Sequence, residues 1–266
     1  MENFLTSMIN SIFGADFMES AINSININVA SEYKSVINHI QGEEIQAAMC
    51  AIAAVLLTMH LLIELMEKMT NDSFSSDQFI KLLIKFVFGI IIISHATEWS
   101  IQFMNIGAKL TNDIMTEITV TKITVDIPDK TGFLETIGTM LILAIPLLVS
   151  FLLKVAIFFI SFSRIIEMIL RAMFAPIGCA DVVSGGSHSA GIRYLKRMLA
   201  ISIQGALMVA VVYIAGEMMA DIIVESFNDG IAITDLMVLG KYFGIAAAMV
   251  GLLGTTKSLS NEVVGA

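Results

Sequence analysis

An all-α, polytopic membrane protein with about five transmembrane helices is the fold that three features of the sequence predict. Of the 266 residues, 56% are hydrophobic and only 15% are charged, and mean hydropathy is +0.84. A soluble domain this apolar has too few polar groups to cover its surface. Five apolar runs also approach the roughly 20 residues a helix needs to cross a bilayer. Lysines and arginines gather in the polar segments between them.

The runs place spans near residues 45–66, 79–106, 137–162, 199–224 and 236–253. The first reads "IQAAMCAIAAVLLTMHLLIELM", and the second centres on "FVFGIIIISHA". The third, "IGTMLILAIPLLVSFLLKVAIFFISF", carries Pro146, which frees a backbone carbonyl one turn earlier and can kink the helix. Helical character continues past it through "SRIIEMILRAMFA", into a cytoplasmic hinge over 163–198. Ahead of the first span, residues 1–44 form a separate segment. Its Phe4, Leu5, Met8, Ile9, Ile12, Phe13 and Phe17 recur at helical spacing. They predict an amphipathic helix that either lies in the outer membrane–water interface or packs on the protein's own outer surface. Within the loop 107–135, "TEITVTKITVDIPDK" alternates apolar and polar residues, which predicts a short β-hairpin or an added strand outside the membrane until Pro128 ends the pattern. No internal repeat is visible, which counts against the inverted-repeat transporters.

Orientation follows from where the cations fall. Lys68, Lys81, Lys85, Arg164, Arg171, Arg193, Lys196, Arg197 and Lys257 share one side if there are five spans. Lys34, Lys109, Lys122, Lys130 and Lys241 occupy the other, diluted by carboxylates. The bias predicts a chain of the cytoplasmic membrane, amino terminus outside and carboxyl terminus in the cytoplasm. Glu2 stands where a signal peptide would carry Lys or Arg, so no cleavable signal is expected. Cys50 and Cys179 lie in or beside apolar runs and do not suggest a disulfide framework. The net charge of −9 argues against nucleic-acid binding through bulk electrostatics.

Ionisable groups inside a membrane are costly and draw attention. His60 and Glu64 share a face of the first span, and His95 and Glu98 sit three apart in the second. Lys154 lies deep in the third, and Glu217 and Asp221 share a face of the fourth. Two readings compete. The groups form a proton or ion pathway, or Lys154 pairs with one carboxylate while the others snorkel or line a wet lumen. The spacing of His60 and Glu64 lacks the second His of a helical zinc site, and no metal, cofactor or catalytic constellation is implied. Gln204, with Gly205 and Ala206 beside it, suits close helix packing, as do Gly240, Gly244 and Ala248 spaced by four in the fifth span. Whether that second face meets another part of the chain or another subunit is open.

The hinge "APIGCADVVSGGSHSAGIRYLKR" raises the question of phosphate chemistry. Gly186 and Gly191 have P-loop spacing, but Ile192 and Arg193 stand where Lys and Ser or Thr are required, and no strand precedes. Read from the residues alone, Pro176 and the glycines stop the third helix and "RYLKR" starts the next at the lipid headgroups.

The same hinge carries a resemblance. "R-x-x-x-AP-x-x-x-AD" at Arg171–Asp181, "G-x-RYLK" at Gly191–Lys196 and "QGA" at Gln204–Ala206 resemble the TrbL-type polytopic inner-membrane component of conjugative type IV secretion systems. This family is related to the sixth VirB protein, and the likeness is to versions from Gram-positive conjugative elements. It covers about a sixth of the chain. It implies a non-enzymatic channel or scaffold subunit that helps DNA with its relaxase, or protein effectors, across the cytoplasmic membrane. It also implies partners among the other secretion subunits, including cytoplasmic ATPases, together with membrane lipids, further copies of the chain, and transient contact with translocated DNA or relaxase. Under it, Arg171, Asp181, Gly185, Gly186, Arg193, Lys196 and Arg197 become a cytoplasmic surface for partners or lipid. The rival expectation is a secondary transporter or ion channel using His60, Glu64, Lys154 and Glu217.

Overall fold

The computed structural model describes residues 15–70, 75–118, 133–183, 189–228 and 236–266. Among the described residues every regular element is a helix. In chain order these are α1 (Ala15–Ile25), α2 (Val29–Glu32), α3 (Lys34–Ile40), α4 (Glu43–Thr70), α5 (Ser76–Glu117), α6 (Phe133–Met173), α7 (Ala175–Gly178), α8 (Ala190–Asn228) and α9 (Leu236–Val264). Five of them, α4, α5, α6, α8 and α9, are long and apolar enough to cross a membrane. Ile145, Phe151, Phe159, Phe88 and Leu62 are among many large apolar side chains left exposed. A water-soluble chain rarely tolerates so much exposed apolar surface, whereas lipid removes its cost. The protein is a multi-pass membrane protein.

The helices begin and end where local chemistry allows. Glu43 and Glu44 in the first turn of α4 and Lys68 in its last turn match the helix dipole. Asn28 caps α2, its side chain accepting from the Ser31 amide at 3.3 Å. Pro176 sits in the first turn of α7, where its missing N–H costs nothing.

All five long helices outrun the spans expected for them. At 1.5 Å per residue, the 42 residues of α5 measure roughly 60 Å, about twice the hydrocarbon thickness. The helix that holds the second span continues past residue 106 to Glu117 and takes up the start of the expected loop. The hairpin predicted in 116–130 thus loses Thr116 and Glu117 to helix, and its remainder from residue 119 lies outside the described residues. The hinge shortens for the same reason. Helix α6 runs to Met173 and α8 begins at Ala190, so most of 163–198 is helical. Of the predicted amino-terminal helix, Phe4 to Phe13 lie outside the described residues.

The chain divides into two compact units. Unit 1 comprises 1–27, 110–163 and 205–256. Its core brings Phe17, Met18 and Ile22 of α1 together with Ile157 of α6, Met208 and Val212 of α8, and Tyr242 and Met249 of α9. The described part of the amino-terminal segment therefore packs on protein: Phe17 is only 2% exposed. Ile114 and Met115, near the end of α5, pack against the same core. The buried Ser150 and Tyr242 hydroxyls share a hydrogen bond of 2.6 Å, which settles two polar groups that lipid or apolar packing would leave unpaired.

Unit 2 comprises 28–109, 164–204 and 257–266. Ala53, Leu57 and Leu61 of α4 pack with Leu82 and Ile93 of α5 and with Ala180 just after α7. All nine cations that the charge bias assigns to one side of the membrane fall in this unit. Gly107 marks a close helix approach within it. A Cβ there would lie 2.2 Å from the backbone oxygen of Ser202 on α8.

That contact sets an expectation for stability. Gly107→Ala forces α5 and α8 apart and should destabilise by about 1–3 kcal/mol, as overpacking does. Gly244→Ala, whose Cβ meets nothing within 4 Å, should stay within about 0.5 kcal/mol of the parent. Unfolding midpoints in mild detergent compare the two; equal midpoints would rule out the close approach at Gly107.

Candidate functional site: the hinge between α6 and α8

The hinge is built by groups that complete each other's helix ends. The last carbonyls of a helix and the first amides of the next have no intrahelical partner. The Tyr194 hydroxyl of α8 donates to the Arg171 carbonyl in the last turn of α6. In return, α8 is capped twice: Asp181 Oδ2 accepts from the Ala190 amide at 3.1 Å, and Ser189 Oγ accepts from the Ile192 amide at 3.2 Å. The Asp181 carboxylate also sits where the positive end of the α8 dipole favours a negative charge.

The glycines make this closure possible. A Cβ on Gly178 would stand 2.6 Å from the Tyr194 ring, and one on Gly191 would stand 2.2 Å from Val182 Cγ2. Ala175 and Cys179 are buried against Tyr194, Leu195 and Ala96. Burial without a charge partner pushes the Cys179 thiol up to about 12, so it stays a protonated apolar filler rather than a nucleophile. On the opposite side, Ile177 packs against the α4 and α5 cluster.

Charge is organised one turn away. Glu167 Oε1 accepts from Arg171 Nη2 at 2.8 Å, and its Oε2 lies 2.7 Å from Lys257 Nζ on α9. The Arg171 guanidinium also lies 6.0 Å from the centre of the Tyr194 ring. Lys196 donates to the Gly265 carbonyl at 3.0 Å. Arg193 and Arg197 are exposed. Of the hinge residues expected to form one surface, Arg171 and Asp181 are thus structural ties, Lys196 holds the carboxyl-terminal turn, and Arg193 and Arg197 face outward. Gly185 and Gly186 lie outside the described residues.

Among the described residues the intramembrane groups are divided between the two units. Glu64 is shared by Lys68 at 2.8 Å and Lys85 at 2.6 Å. His60 does not meet it; its Nδ1 lies 2.8 Å from the Leu56 carbonyl on its own helix. His95 Nδ1 and Glu98 Oε2 are 3.2 Å apart, and both side chains are more than half exposed. The expected carboxylate partner of Lys154 is not found: among the described residues Lys154 makes no ion pair, and its Nζ lies 5.6 Å from the centre of the Phe17 ring. Gln204 is buried in unit 2 and Glu217 is half-buried in unit 1. Gly240, Gly244 and Ala248 lie on an exposed face of α9, with no atom within 4 Å of a Cβ at either glycine.

Three participants were not singled out from sequence. Glu167 and Arg171 are spaced i, i+4 on one helix, a signal that could have found the pair. Tyr194 sits inside "RYLK" but nothing local says its hydroxyl reaches α6. Lys257 is 90 residues from Glu167 and carries no local signal at all.

Comparisons of the chain with family models, with curated proteins and with solved structures return no match.

Two measurements check the hinge. Tyr194→Phe removes one hydrogen bond and should cost about 1 kcal/mol, while Tyr194→Ala also empties the space beside Gly178 and should cost about 3–5 kcal/mol. Cys179 should react with maleimide at pH 8 far more slowly in the folded protein than after denaturation; equal rates would contradict its burial.

Proposed function

We propose that the chain is a non-enzymatic channel or scaffold subunit of a conjugative type IV secretion system. In this reading it sits in the cytoplasmic membrane and assists passage of DNA–protein or protein substrates driven by separate ATPases. One observation carries it. The residues on which the TrbL-type resemblance rests are those that build the hinge: Arg171, Pro176, Asp181, Gly191 and Tyr194 lie at the caps and close contacts just described. A likeness confined to arbitrary apolar composition would not single out the groups that fix a helix turn. The cation bias supports an amino terminus outside and the hinge in the cytoplasm. There, exposed Arg193 and Arg197 are available to an ATPase or a substrate. The open Gly240, Gly244 and Ala248 face of α9 leaves room for another copy to approach closely. Against a transporter working alone, Glu64 is neutralised by two lysines and lies apart from His60.

The test is genetic. Deletion of the gene from its native element should abolish conjugative transfer, and the wild-type gene should restore it. Changing Arg193 and Arg197 to Ala should leave insertion and topology intact by blot while lowering transfer at least tenfold. Undiminished transfer after deletion would overturn the secretion reading. Ion flux in proteoliposomes lost on neutralising His60, Glu64, Lys154 and Glu217 would replace it with the transporter reading.

A further inference from the structure

A polar cavity of about 260 Å³ lies in unit 2 among the ends of α6, α8 and α9, apart from the Tyr194 closure. Its walls carry Glu167, Arg171, Arg197, Lys257, Ser260 and Asn261. Three cations and the Glu167 carboxylate share this wall with Ile201 and Ala266. Arg171 and Lys257 already share Glu167, which fixes both at the wall. Arg197 makes no ion pair among the described residues. A fourth cation, Arg164, lies further back along α6. Arg164 precedes Glu167 by three residues and Arg171 by seven, which puts all three on one face of α6. It is only 5% exposed, and its Nε and Nη1 have no hydrogen-bond partner among the described residues. A buried cation without partners is costly, and Arg164 lies one turn before Glu167 of the cavity wall.

The surroundings name the source of the missing negative charge. Arg171 is in the last turn of α6, and Lys257 and Arg197 are near the ends of α9 and α8, so all three stand at the limits of helices able to cross a membrane. Ile166 and Leu170 on α6, Phe174 just after it, and Leu259 and Val263 on α9 leave large apolar side chains exposed within a turn or two of the cavity residues. We propose that this cavity binds the phosphate of an anionic membrane lipid, with the acyl chains lying along those apolar side chains. Arg197 and Lys257 would donate to the phosphate oxygens, and Asn261 would donate through its side-chain amide. A space of about 260 Å³ suits one headgroup better than the repeating backbone of a nucleic acid, which needs a long groove. The inference rests on the membrane location alone and stands or falls independently of the secretion reading.

The full-length protein in mild detergent tests it. Native mass spectrometry and thermal shift would follow titration with phosphatidylglycerol, with phosphatidylcholine of the same chains, and with inorganic phosphate. Phosphatidylglycerol should bind with saturation and raise the melting temperature, while phosphatidylcholine should bind at least tenfold more weakly. Arg197→Gln should weaken phosphatidylglycerol binding about tenfold, the loss expected for one charge-assisted contact, and Arg197→Lys should recover most of it. Arg193→Gln, one turn away and outside the cavity, should leave binding unchanged. Equal effects of Arg197→Gln and Arg193→Gln would overturn the pocket in favour of diffuse basicity. Equal affinity for the two lipids would overturn the role of charge. Competition by inorganic phosphate at the lipid's own concentration, or displacement of lipid by single-stranded DNA, would overturn the assignment to a lipid.

Discussion

The hydrogen bond from the Tyr194 hydroxyl to the Arg171 carbonyl is the contact on which the hinge depends. Two long helices that reverse direction leave a frayed carboxyl end facing a bare amino end. Such end groups need partners from outside their own helix. Here each end is closed by a residue from across the turn, Tyr194 for α6 and Asp181 for α8. The rest follows sterically. The aromatic ring must pass close to the backbone at residue 178, so glycine stands there, and the turn must fold tightly against Val182, so glycine stands at 191. Cys179 and Ala175 then fill what space remains.

Charge in this chain is organised by sharing. Glu64 serves Lys68 and Lys85, and Glu167 serves Arg171 and Lys257. In both cases one carboxylate holds two cations from different helices, which ties elements distant in sequence without leaving a buried anion. The pattern leaves an excess of positive charge, because each pair of cations is only half neutralised. Lys154 is handled differently. A lone ammonium within a span would seek a carboxylate; this one rests over the Phe17 ring, whose electron-rich face substitutes weakly for an anion.

What the sequence made legible was what depends on local composition. All five spans could be placed from apolar run length, and the hinge could be placed from Pro176 and its glycines. Helix ends were less legible because hydropathy reports the membrane rather than the helix. The stretch from Gly107 to Glu117 is too polar to count as a span, yet its Ile114 and Met115 still bury against the unit 1 core and keep it helical. Side-chain partners across helices were the least legible. His95 with Glu98 could be read at i, i+3, but Lys257 with Glu167, Lys154 with Phe17, and Ser150 with Tyr242 depend on how helices pack, which spacing along one helix does not encode. The sequence also could not separate the hinge cations by role, since Arg171, Arg193, Lys196 and Arg197 look alike as letters.

That separation bears on what the hinge can do. Arg171 is committed to Glu167 and stacked near Tyr194, and Lys196 is committed to the Gly265 carbonyl. Removing either changes the hinge's shape before it changes any partner's affinity. Arg193 and Arg197 are exposed and can be altered with little effect on folding. They occupy different surroundings, since Arg197 alone of the two lines the cavity beside Lys257. A basic cluster that looks uniform therefore divides into groups that hold the turn, a group that faces the cavity and a group that faces solvent. Any partner that reads this hinge reads Arg193 and Arg197 on a platform kept rigid by Tyr194, Asp181 and Glu167.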